Sequence, residues 1–135
     1  MTGVLPDNDI EGQFDAMLQI WLSDAWREIW SGLGLTIETF ETLGLDRDDS
    51  DERVWTVCQA RRVVLITGNR NAESPDSLES TIRRANRPDS LPVVTIANPR
   101  RLLRDRDYAT AAAIRLLDAL MDIERSHGCG RLYVP

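Results

Sequence analysis

Apolar runs of strand length alternate with helical stripes along this chain, and that alternation predicts a three-layer α/β/α sandwich around a mainly parallel central sheet. Three observations carry the expectation. Val63-Val64-Leu65-Ile66-Thr67 is a continuous, β-branched run, the pattern of a central strand covered on both faces. Leu91-Pro92-Val93-Val94-Thr95-Ile96-Ala97 is a second such run. Between and around them lie segments whose apolar residues recur at helical spacing, so the strands are expected to be parallel with right-handed crossovers. At 135 residues the chain is expected to form one domain.

Taken in order, Gly3-Val4-Leu5-Pro6 is apolar and stops at Asp7-Asn8, which predicts the first strand. From Ile10 the spacing turns helical. Ile10, Phe14, Met17, Leu18, Trp21, Leu22, Ala25 and Ile29 form one broad stripe, with Asp9 as the expected N-cap and Gly32 or Gly34 as the stop. Trp26 and Trp30 lie to one side of that stripe, where they flank the core or, if exposed, serve a partner or a homodimer. Leu35 to Phe40 alternates apolar with polar and reads as a strand. An acidic loop follows, and Val54, Trp55, Val57, Cys58 and Ala60 then mark an amphipathic helix ending near Arg61-Arg62.

After the strand at 63–67, the polar segment 68–75 is a loop. A helix is expected over 76–87 with Leu78 and Ile82 inward. Asp76-Ser77-Leu78-Glu79 has the form of a capping box, with Asp76 as the cap. Asn98-Pro99 opens a short helical turn, with Pro at the first helical position. The last helix is expected from about Asp107 to His127, with Gly128 as its C-cap, before a terminal strand at Leu132-Tyr133-Val134.

Composition narrows the function. Four tryptophans and an apolar fraction of 42% belong to a globular chain. No apolar run is long enough to cross a bilayer, and no basic region leads a long apolar stretch at the start. The expectation is therefore a cytoplasmic protein without a membrane or secretory segment. Cys58 and Cys129 are expected to be reduced. The formal charge is −6, which argues against a protein that is basic all over. All 16 basic residues are Arg, though, and they cluster at Arg83-Arg84-Arg87 and at Arg100-Arg101-Arg104-Arg106. Guanidinium is the better bidentate partner for phosphate.

The residues that carry chemistry are small acids and amides at predicted strand ends. Asp7, Asn8 and Asp9 follow the first strand; Asn69 and Asn71 follow the strand at 63–67, with Asp76 and Glu79 close behind. In an open α/β sheet ligands bind outside the carboxyl ends of the strands. Oxygen donors gathered there suit a hard cation such as Mg²⁺ or Mn²⁺. Asp51, at a predicted helix start, is the member of the acidic run 46–52 that can be aimed at the same edge. Each acid also has an ordinary structural use, as turn residue, helix cap or dipole partner. Other mechanisms lack their parts. One His and two distant Cys do not make a zinc site. No phosphate-binding Gly-rich loop is present, and a phosphoryl-accepting receiver domain would want a Lys that this chain lacks.

Three segments together resemble the PIN-like domains, small α/β metal-dependent ribonucleases that include many prokaryotic toxins. They are Leu5-Pro6-Asp7-Asn8-Asp9, Asp51-Glu52-Arg53-Val54-Trp55 and Val64-Leu65-Ile66-Thr67-Gly68-Asn69-Arg70-Asn71. The resemblance implies that Asp7 is the first metal carboxylate and Asp51 the second. Asn69 and Asn71 stand where that family has Asp, and Asp76 and Glu79 could restore the missing charge. It further implies Mg²⁺ or Mn²⁺ as cofactor, single-stranded RNA as substrate, and an antitoxin as partner. Asn8, Arg70, Arg83 and Arg84 would contact the substrate. The alternative is a catalytically silent PIN-like module that binds without cleaving.

Overall fold

The computed structural model describes residues 1–69 and 77–135. Five parallel strands form one sheet in the order β2-β1-β3-β4-β5: β1 Gly3–Pro6, β2 Thr36–Ile37, β3 Val63–Thr67, β4 Val93–Ile96 and β5 Arg131–Val134. Among the described residues six α-helices, α1 Glu11–Trp21, α2 Arg27–Gly32, α3 Asp51–Arg61, α4 Leu78–Ala85, α5 Pro99–Arg104 and α6 Arg106–Met121, cover its two faces. The layered α/β/α architecture read from the sequence is the architecture present.

The alternation of side chains along β3 divides the interior in two. Val64 and Ile66 enter a core with Val4, Val94, Phe14, Met17, Trp21 and the Ala112-Ala113-Leu116-Leu117 stripe of α6. Val63 and Leu65 enter the other, with Leu5, Val54, Trp55, Cys58, Leu78 and Ile82. Successive strand residues point to opposite faces, so one buried strand can feed both cores only if it is apolar on both sides. α1, α2, α5 and α6 thus form one outer layer, and α3 and α4 the other.

That division corrects the expected handedness. The steps β3 to β4 and β4 to β5 run in the same direction across the sheet. The first crosses by α4, on the α3 face; the second crosses by α5 and α6, on the α1 face. The two crossovers therefore have opposite hands, although parallel connections are overwhelmingly of one hand. The physical reason is coverage: the broad apolar stripe of α6 matches the face of α1 left bare by α3 and α4.

Several boundaries also move. The helix expected to run from Ile10 to beyond Ile29 is two helices, because the chain turns at residues 22–26. The turn rotates Trp30 inward, where it stacks on Trp21 at 4.7 Å between ring centroids, with Phe14 edge-on to Trp21 at 5.7 Å. Trp30 is thus core, and the indole N–H of Trp21 donates to the Ala113 carbonyl of α6 at 2.9 Å. Asp9 caps no helix; Asp7 caps the short 3-10 turn Asn8–Ile10 that precedes α1. The strand expected over 35–40 shortens to two exposed residues at the sheet edge, and Phe40 is buried in the α3-side core from a loop.

Ser77, not Asp76, is the N-cap of α4, its hydroxyl accepting from the Ser80 N–H at 3.2 Å. The last helix stops at Met121, so His127 and Gly128 are not at its end. A 3-10 turn over Ile123–Ser126 intervenes, and Gly128 takes φ +82° where a Cβ would meet the Pro88 backbone. The described residues contain no helix long and apolar enough to cross a membrane.

Trp21→Phe keeps a ring in the aromatic cluster but loses the bond to Ala113 and leaves a void. It is expected to lower stability by about 1–3 kcal/mol, read as a shift in the urea midpoint at unchanged slope.

Candidate functional site at the β1–β3 switch point

β1 lies beside β3, and the chain leaves it first for β2 on one flank and then for β3 on the other. This reversal opens a crevice outside the carboxyl ends of β1 and β3, the place where open α/β sheets bind ligands. Three acids from two segments meet there. Asp7 follows β1 directly: its Oδ1 accepts from the Asn8 N–H at 2.8 Å and its Oδ2 from the Thr67 hydroxyl at 2.9 Å. Asp9 lies two residues on, its Oδ2 accepting from the Gly68 N–H at 3.2 Å. Asp51 comes from the first turn of α3, and its Oδ2 accepts both from Asn69 Nδ2 at 3.0 Å and from the Leu78 N–H of α4 at 3.1 Å.

The local sequence explains each placement. Thr67 ends β3, so its hydroxyl stands at the sheet edge, bonded to Asp7 and accepting from the Asn69 N–H at 3.0 Å. Gly68 must be small: a Cβ there would lie 3.0 Å from Pro99, 3.1 Å from Asp9 Oδ2 and 3.2 Å from Ile10. Ser50 caps α3 by accepting from the Arg53 N–H at 3.2 Å, which turns Asp51 into the first helical position. From there Asp51 satisfies an otherwise orphan N–H at the start of α4, so a carboxylate of one helix finishes the end of the next.

Burial acts on the charges. It raises the proton affinity of the Asp7 carboxyl above the ordinary range, against the bonds from Thr67 and Asn8, and the charges of Asp51 and Glu11 push the same way. Asp9 is shifted upward too, by burial first and by the charge of Asp7 second, against the bonds from Gly68 and Thr67. The neighbouring Cys58 thiol is pushed up to about 12, by burial first and then by Asp7, so it is no nucleophile near neutral pH. Cys58 and Cys129 are both free, as expected.

Sequence reasoning missed Arg131. This first residue of β5 reaches along the α4 face of the sheet with a side chain only 6% exposed. Its guanidinium donates to the Thr95 hydroxyl at 2.6 Å, to the Asn69 carbonyl at 2.9 Å and to Glu79 Oε2 at 3.0 Å. Thr67 and Thr95 pair in register on β3 and β4, so a polar band interrupts the α3–α4 side of the sheet at its carboxyl edge. The only signal in the sequence was that both buried runs carry a Thr near their ends.

The predicted site residues thus separate. Asp7, Asp9, Asp51 and Asn69 share the crevice. Glu79 stands beside it as the counter-charge of Arg131 and, at 3.6 Å, of Arg83. Asn8 donates its amide to the Arg47 carbonyl at 3.3 Å and lines a neighbouring groove. Arg83 and Arg84 are exposed toward the far end of α4, and Arg84 pairs with Glu52 at 3.2 Å. Arg70, Asn71 and Asp76 lie outside the described residues. Among the described residues no three His, Cys, Asp or Glu side chains gather closely enough to hold a metal by themselves. No family model, curated protein or solved structure matches the chain.

Two outcomes follow from this geometry. Asp7 and Asp9 bind protons more tightly folded than unfolded, so their contribution to stability is complete below the ordinary value of 3.8 and is lost as pH rises through the raised folded values. Asp7→Asn, which keeps an acceptor for Thr67, is therefore expected to raise the urea midpoint at pH 7 in EDTA, with the gain vanishing as pH falls below the unfolded value. Glu79→Gln strands a buried guanidinium and is expected to cost about 2–4 kcal/mol, whereas Glu52→Gln, at an exposed pair, costs no more than about 0.5 kcal/mol by the same titration.

Proposed function

We propose that this protein is a metal-dependent ribonuclease of PIN-like type that acts on single-stranded RNA at the crevice between β1 and β3. The observation that supports it is the convergence of Asp7 and Asp9, from the segment after β1, and Asp51, from the start of α3, on the residues that end β3 at the switch point of the sheet. Carboxylates crowded against one another cost stability, and such arrangements concentrate at working sites. The donor set is all oxygen, which fits Mg²⁺ or Mn²⁺; Mg²⁺ keeps several of its waters and needs only one or two protein carboxylates. Asp7 and Asp51 would hold the ion, with Asp9 and the Asn69 side-chain oxygen beside them.

When bound, the ion activates a water and stabilises charge on a phosphodiester. The chain's own residues supply the rest. Thr67 and the Asn8 N–H fix both oxygens of Asp7, so the carboxylate meets a ligand in one orientation. The Gly68 N–H does the same for Asp9. Arg131 holds the Asn69 carbonyl and, with Asp51, ties the start of α4 to the loop after β3. A toxin paired with an antitoxin is the cellular role that goes with this reading.

One observation favours the silent binding module instead. Asn69 donates to the oxygen of Asp51 that also caps α4, an arrangement complete without any ion. An Asp at position 69 would put two carboxylates in contact.

Cleavage of an end-labelled single-stranded RNA pool with Mg²⁺, Mn²⁺ or EDTA separates the two. The nuclease reading expects metal-dependent products and a loss of roughly 10²-fold or more in Asp7→Asn and Asp51→Asn, each checked for folding. No cleavage under either metal by folded wild-type protein leaves the binding module.

A further inference from the structure

We infer that single-stranded RNA leaves the β1–β3 crevice over α5 and lays a base and its phosphates in the groove between α1 and the α5–α6 corner; this rests on the ribonuclease reading and extends it. The groove measures about 500 Å³. It is lined by Ile20, Trp26 and Leu103, with Leu103 58% exposed and Trp26 half-buried, and by Arg104 and Arg106.

Charge is distributed around the crevice in a way that sets the direction. On the β2 side, a groove of about 610 Å³ is lined by Glu11, Asp15, Glu38, Glu41 and Asp46 against a single Arg47. Arg47 is already bound to Glu11 at 2.9 Å, so this groove repels a polyanion. On the other side, Pro99 starts α5 against Gly68, where a Cβ would lie 3.0 Å from its ring, and its carbonyl accepts from Gln13 of α1 at 3.3 Å. α5 therefore begins at the crevice and leads away from it. Arg100, Arg104 and Arg106 are exposed and form no ion pair with any described carboxylate, while most other exposed arginines of this acidic chain do. Arg101 pairs with Asp105 at 3.3 Å and sits over the Tyr108 ring at 4.7 Å.

Unpaired guanidinium groups beside an apolar, aromatic-bearing lining are the combination that binds single strands. Phosphates meet the cations and a base stacks on the ring. An α-helix of six residues spans about 9 Å, roughly the reach of one to two nucleotides from the crevice to the groove.

The test measures binding without cleavage. A fluorescein-labelled single-stranded RNA of about ten nucleotides is titrated by anisotropy in EDTA, over a range of salt. Arg104→Gln/Arg106→Gln is expected to weaken binding about tenfold and to flatten the slope of log K against log salt by about 1.4, two contacts at about 0.7 each. Trp26→Ala is expected to weaken it by a similar factor; if that protein does not fold, Trp26→Phe is expected to bind like wild type while losing part of the tryptophan quenching that RNA produces. Arg125→Gln, on the remote 3-10 turn, is expected to bind as wild type. Affinity and salt slope unchanged in the arginine variant, no RNA binding by wild type, or tighter capture of a polyglutamate peptide than of RNA each overturn the proposal. Cleavage in Mg²⁺ or Mn²⁺ is read separately, so a nuclease whose RNA follows another path is distinguished from a protein that is no nuclease.

Discussion

The structure depends on β3 being apolar on both sides. All five of its residues are buried, and the four apolar ones, Val63 to Ile66, divide alternately between two cores on opposite faces of the sheet. A strand so placed can satisfy its backbone only through its neighbours β1 and β4, which fixes the middle of the sheet. It also obliges helices to cover both faces, including the unusual arrangement in which α4 and the α5–α6 pair cross on opposite faces while stepping in the same direction. Polar chemistry then has one place to go, the edge where the three central strands end.

At that edge the polar groups hold one another. Thr67 links Asp7 to the loop after β3, Asp51 joins that loop to the start of α4, and Arg131 ties the same loop to β4 and Glu79. The network is bought with desolvation: Asp7 and Asp9 both resist ionisation because of where they lie. Nothing in the packing of the two cores asks for three acids here. A cluster that works against the stability of the fold, at the position where α/β sheets take ligands, is the physical ground for reading it as functional.

The surroundings add polarity to this centre. Carboxylates crowd the groove on the β2 side, and arginines without described partners follow α5 on the other. The net charge of −6 conceals that separation, because it averages two surfaces of opposite sign. A charged chain-like ligand at the crevice meets a different field in each direction.

Periodicity alone determined the layered α/β class, the three central strands, α3 and the buried stripes of α1 and α6, because burial on one or two faces writes itself into the spacing of apolar residues. It also marked Asp7, Asp9 and Asn69, since small polar residues after an apolar run stand out, while Asp51 was singled out by its place at a predicted helix start. Tertiary structure decided what spacing cannot carry. The turn at 22–26 that brings Trp30 onto Trp21 changes no periodic signal strongly, because both segments are helical. The identity of the α4 cap rested on a choice between adjacent Asp76 and Ser77 that only backbone angles make. Arg131 was invisible because its partners, Thr95, Asn69 and Glu79, lie far away in sequence, and a guanidinium at the start of a strand looks like any exposed flank until the fold buries it. The crossing of α6 on the face of α1 was likewise settled by which apolar surface remained uncovered, a property of the assembled layers and of no single segment.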